Sequence, residues 1–143
     1  MYTCQQALIN HLSVHFPTSQ VKEIEAYAGQ LRDNARKVTN ALPCVLVMYI
    51  DGRPAAQEKF HQMDLLVVTE SQVLDKVTHK NANMALSSEV IDYLADRHLF
   101  TAPGLSGTYE ISREQMDART ILITDRFTII AISLYIYDRR KRT

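Results

Sequence analysis

A run of seven apolar residues, Cys44-Val45-Leu46-Val47-Met48-Tyr49-Ile50, is bracketed by Leu42-Pro43 on one side and Asp51-Gly52 on the other. A short continuous apolar run with β-branched residues, punctuated at both ends, predicts a strand buried on both faces. Pro43 has no N–H for a ladder and belongs at a strand's first position or on an edge. Asp-Gly takes the positive-φ conformation of a tight reversal, so a hairpin turn is expected at Asp51-Gly52. A strand of this kind needs cover on both sides, and the remaining segments are read as what covers it or pairs with it.

Cys4, Leu8, Leu12 and Phe16 recur at four-residue spacing with Ala7 and His11 beside them, which predicts an amphipathic helix over 4–16 capped by Thr3 and stopped by Pro17. Val21 to Tyr27 alternates imperfectly and reads as a strand. Gln30 to Asn40 is polar, with Arg32, Arg36 and Lys37, and reads as a short helix or a mobile loop. Phe60 to Thr69 is the strand expected to pair with the central one. Ser71 to Lys80 reads as a link, followed by a helix over about 83–97 with Met84, Ser88, Ile91, Leu94 and Ala95 on one stripe and Asn81 or Asn83 as cap. Pro103-Gly104 and Ser106-Gly107 mark a loop. Tyr109 to Ile111, Thr120 to Thr124 and Phe127 to Tyr137 read as strands.

The last strand is apolar on both faces: Phe127, Ile129 and Tyr135 on one, Ile130, Ile132, Leu134 and Ile136 on the other. If both helices cover one face, the other is free for a partner chain, and Ile130, Ile132, Leu134 and Ile136 are the expected subunit interface. The fold class expected from these elements is α+β, a mainly antiparallel sheet with two main helices packed on it, in a single domain spanning 1–143. Residues 138–143, Asp-Arg-Arg-Lys-Arg-Thr, form a basic tail expected to be flexible.

At 143 residues the chain is long enough for one full core. Sixteen basic and 16 acidic residues balance to zero, which argues against binding to nucleic acid or membrane driven by bulk charge and leaves little repulsion between copies. Two distant cysteines, Cys4 and Cys44, suggest free thiols in a reducing compartment. The first residues carry neither a basic nor an apolar leader, so no signal peptide is expected. No window reaches the roughly 18 apolar residues of a membrane span.

Chemistry-bearing patterns are sparse. His11 and His15 stand four apart on a helix, a spacing that can hold a metal, yet no other ligand cluster completes a site, and a packed or solvated helix face is the plainer reading. Asp51, Glu58 and Asp64 could serve a small metal-dependent nuclease, against which stands the commoner reading of Asp51-Gly52 as a turn. Cys44 inside a buried strand is an inert thiol. No phosphate-binding glycine loop and no nucleophile elbow are present. Arg139, Arg140, Lys141 and Arg142, with Arg32, Arg36 and Lys37 as a second patch, are the candidate contacts with nucleic acid or an acidic partner; a solvated terminus is the plainer reading of the first.

The order of the segments carries a resemblance. A helix, the strand Val21–Tyr27, the strand entered by Leu42-Pro43-Cys44-Val45-Leu46-Val47, the Phe60-led strand, the helix 83–97, Gly107-Thr108-Tyr109-Glu110-Ile111 and a closing strand from Phe127 together resemble the tail-terminator (tail-completion) proteins of Mu-like and other long-tailed bacteriophages. The likeness covers nearly the whole chain. It implies a structural virion protein: a hexameric ring at the head-proximal end of the tail, assembled in the host cytoplasm, that ends tail-tube polymerisation. It implies tail-tube and head-completion (neck) proteins as partners, genomic DNA passing the lumen, no membrane, no cofactor and no catalytic residues. The basic tail has no counterpart in that pattern. Alternatives are another head–tail joining or tube-like ring protein, the metal-dependent nuclease, and an accessory binding module of bacterial origin.

Overall fold

In a computed structural model, residues 2–30, 38, 41–55, 58–70, 76–101, 108–123 and 127–138 are described. Their order is α1 (Tyr2–His15), β1 (Glu23–Ala26), β2 (Cys44–Ala55), β3 (Glu58–Glu70), α2 (Lys76–Asp96), β4 (Leu99–Phe100), β5 (Tyr109–Ile111), a 3-10 turn (Arg113–Gln115), β6 (Asp117–Ile123) and β7 (Phe127–Asp138).

All seven strands belong to one sheet, ordered β1-β2-β3-β7-β5-β4, with β6 also on β7. One edge of β7 is zipped to β3 from Lys59↔Asp138 to Glu70↔Phe127. Its other edge is shared between β5 near its end and β6 near its start. β1 lies parallel to β2, Glu23 opposite Cys44 and Ala26 opposite Val47, and the remaining pairings are antiparallel.

This corrects the α+β expectation. Strand accounts for 47% of the described residues against 32% helix, and the sheet is mixed and curled, so the class is mainly β. The imbalance comes from strand length. β2 does not turn at Asp51-Gly52: a bulge between Tyr49 and Asp51 absorbs one residue, and Asp51 and Gly52 then pair with Gln62 and His61. The hairpin extends to Ala55↔Glu58. Pro54 is tolerated inside β2 because β1 covers that strand only as far as Val47, so among the described residues the outer half of β2 is an edge with no second ladder to supply.

α1 follows its four-residue stripe: Cys4, Ala7, Leu8, Leu12 and Phe16 are buried. It begins at Tyr2, so Thr3 lies within the helix rather than capping it. α2 starts at Lys76, ahead of the expected 83, which places Asn81 and Asn83 inside it. Its buried face is Ser87, Val90 and Leu94, and Met84 is turned outward, 49% exposed.

Both helices pack on one face of the sheet, over Val45, Val47, Met63, Leu65, Val67, Ile130, Ile132, Leu134 and Ile136. The opposite face carries a smaller cluster, Cys44, Leu46, Leu66, Val68, Phe127, Ile129 and Ala131, roofed by Val38 and Leu42 with Tyr27 at its margin. Gln5 ties α1 to the sheet by donating from Nε2 to the Val47 carbonyl at 2.8 Å. No described helix is long and apolar enough to cross a membrane.

Candidate functional site

The four residues expected at a subunit interface are part of the chain's own core. Ile130 is 6% exposed, and Ile132, Leu134 and Ile136 are fully buried under α1 and α2. The period-two pattern was right about their common face, but the chain's own helices cover that face and no surface is left there for another subunit. Arg32, Arg36, Lys37, Arg139, Arg140, Lys141 and Arg142 lie outside the described residues.

His11 and His15 are engaged in helix packing. His11 Nε2 lies 2.7 Å from the Arg97 carbonyl oxygen. A carbonyl only accepts, so Nε2 carries the proton. The ring stacks on Phe100 at 5.2 Å between centroids. His15 stacks on Tyr93 at 4.2 Å, and the Tyr93 hydroxyl donates to the His11 carbonyl at 2.9 Å. The rings run on without a break through Phe100 and Tyr109 to His61 and Tyr49, where Tyr49 Oη lies 2.8 Å from His61 Nδ1. The sequence shows His11 and His15 at helical spacing, but their distant partners come from α2 and the segment through β4, which only the fold brings near. Among the described residues, no group of three His, Cys, Asp or Glu side chains is placed to hold a metal ion.

Of the carboxylates weighed for a nuclease, the side chains of Asp51 and Glu58 lie outside the described residues. Asp64 is 8% exposed on the face opposite the helices, between Met48 and Ser133, and its Oδ1 has no hydrogen-bond partner among the described residues. Cys44 shares that face with Glu23 and Glu25; burial first, then those two carboxylates, push its thiol up to about 12. Cys4 is buried as well, and neither cysteine is in a disulfide.

Described residues line two of the surface clefts. One of about 370 Å³ lies between α1 and β4, bordered by Asn10, His11, Val14, Leu99 and Thr108. Another of about 450 Å³ is bordered by Leu42, Pro43, Glu70, Leu86 and Glu89. The first offers His11, whose Nε2 is committed to Arg97; the second offers two carboxylates beside apolar surface. Neither joins a nucleophile to a base among the described residues.

The margins of the sheet are different in kind. β6 pairs with β7 on one side and with no described strand on the other, and Asp117 to Leu122 are all exposed, Ile121 at 47% and Leu122 at 45%. At the far margin β1, whose residues are half-buried, has β2 as its one neighbour among the described strands. Exposed edges are where β proteins take up further chains. The chain matches no family model and no curated protein.

Proposed function

We propose that this chain is a structural subunit of a bacteriophage tail-terminator ring, which caps the tail tube, ends its polymerisation and presents the surface to which the head-completion protein attaches. The observation that carries the reading is the adjacency of β2, β3 and β7. The Leu-Pro-entered strand, the Phe60-led strand and the closing strand carry the resemblance. β2 and β3 form a hairpin, and β7, from the far end of the chain, lies beside β3, so the three make up the middle of the sheet, with both helices on one face. The exposed strand β6 at one margin, with the half-buried β1 at the other, supports an assembling protein over a free-standing one.

The test is polymerisation of the cognate tail-tube protein with and without this chain, followed by electron microscopy of tube length. The expected result is shorter tubes with one additional ring at an end. Incorporation along the whole tube would make it a tube subunit, and unchanged tubes with bare ends would overturn the reading.

A further inference from the structure

β1 and β6 form opposite margins of one continuous run of strands, β1-β2-β3-β7-β6. β1 is parallel to β2, and each later step along this run reverses direction, so β1 and β6 point opposite ways. Copies related by a rotation axis along the strands therefore bring β6 of one against β1 of the next in antiparallel fashion.

The side chains at the two margins are complementary, and on the same face. On β1, Glu23 and Glu25 stand opposite Cys44 and Leu46, which places them on the face away from the helices, while Ile24 and Ala26 pack toward the helices. On β6, Arg119 stands opposite Ala131 and so points to that same outer face. Ala118 and Thr120, opposite Ile132 and Ile130, share the helix face with Ile24 and Ala26. Directly opposed residues in an antiparallel pair share a face. Joining these edges thus sets cation beside anion on one side and small or apolar residues together on the other.

Charge also selects the register. With Arg119 opposite Glu23, Asp117 would meet Glu25, a pair of like charges. With Arg119 opposite Glu25, Asp117 meets Tyr27, Thr120 meets Ile24 and Ala118 meets Ala26. Glu25 retains its contact from Gln30 Nε2, at 3.3 Å. Charged residues and the bulge between Thr120 and Leu122 are also the means by which a strand resists indiscriminate pairing. Here they would leave one favourable partner, an acidic edge in one register.

We infer that β6 of one copy pairs with β1 of the next, Arg119 against Glu25, so that copies of this chain close head-to-tail through a continuous sheet. The contact is heterologous, using two different edges, and such a contact closes into a ring when its rotation permits. It deepens the ring reading above by locating the junction, and it does not depend on the partner at the end of a tube.

The test is sedimentation velocity of the purified chain with charge reversals. The wild type is expected to form a discrete closed oligomer. Arg119→Glu alone and Glu25→Arg alone should each sediment as folded monomer, folding being checked by circular dichroism. The double variant should regain the oligomer. Arg119→Cys combined with Glu25→Cys should yield intermolecular disulfides on mild oxidation. A monomeric wild type without that cross-link would overturn the inference. So would an oligomer that survives Glu25→Arg, as a symmetric β6–β6 dimer would. A charge-dependent ring that leaves tube length unchanged would uphold the junction while removing the tail-terminator reading.

Discussion

His11 closes the C-terminus of α2: its Nε2–H donates to the Arg97 carbonyl oxygen at 2.7 Å, one turn past Tyr93, which donates its hydroxyl to the His11 carbonyl. Through His11 and Tyr93, 82 residues apart in sequence, the two helices are tied reciprocally. The arrangement needs a proton on Nε2, and burial, the largest influence, disfavours the charged ring and holds the His11 pKa below its ordinary value. The hydrogen bond to Arg97 opposes that shift, and the Arg97 charge adds to it.

A pH dependence follows. With the folded pKa below the unfolded one, the unfolded chain binds more protons between the two, and stability rises with pH there. The His11 contribution is full above about 6.5, the ordinary value, and is lost as pH falls through the folded pKa. The melting temperature should decline between pH 7.5 and 5.5, and His11→Gln, which keeps an N–H for Arg97, should flatten part of that decline. Parallel profiles for the two proteins would remove His11 from the account.

How much of this was legible in the sequence depends on the range of the information. α1 was legible because Cys4, Leu8, Leu12 and Phe16 recur at its own period, and all four are buried. β7 was legible as a strand apolar on both faces. Its cover was not, because Ile132 reads the same under a partner's surface as under α1 and α2. Asp51-Gly52 carries good local turn chemistry, but β3 continues far enough to pair with it, and long-range register prevailed. The first turn of α2 is polar and gives no periodic signal. The complementarity of Arg119 with Glu25 is invisible until strand order places the two at opposite margins.

Cys44 should be inert in the folded protein. It is 1% exposed, and with its thiol pushed up to about 12 the thiolate fraction at pH 8 is on the order of one in ten thousand. Reaction with a disulfide reagent should proceed at the rate of unfolding and accelerate in denaturant. Stoichiometric labelling of Cys44 within seconds under native conditions would show that β2 is more open than its packing indicates.

Asp64 Oδ1 finds no hydrogen-bond donor among the described residues while the residue is 8% exposed, which costs stability because that oxygen has left water without a partner there. Asp64→Asn replaces the carboxyl by an amide at nearly constant volume. A gain of about 1 kcal/mol at pH 7 is expected from urea unfolding. A comparable loss would reveal a donor that holds the carboxylate in solution.

Ile132 and Ile121 separate core from edge. Ile132 is wholly buried between β7 and the helices, so Ile132→Ala should cost about 3 kcal/mol, from lost burial and the cavity left behind. Ile121 sits at the bulge of β6, 47% exposed, so Ile121→Ala should change the stability of the isolated subunit by less than about 0.5 kcal/mol. Denaturant unfolding at low protein concentration, where subunits are apart, measures both without a contribution from assembly. The two residues should exchange roles at high concentration: Ile121→Ala should weaken association, while folded Ile132→Ala should assemble as the wild type does. If Ile132→Ala left subunit stability unchanged and abolished association, the helix-covered face of β7 would be a junction between subunits after all.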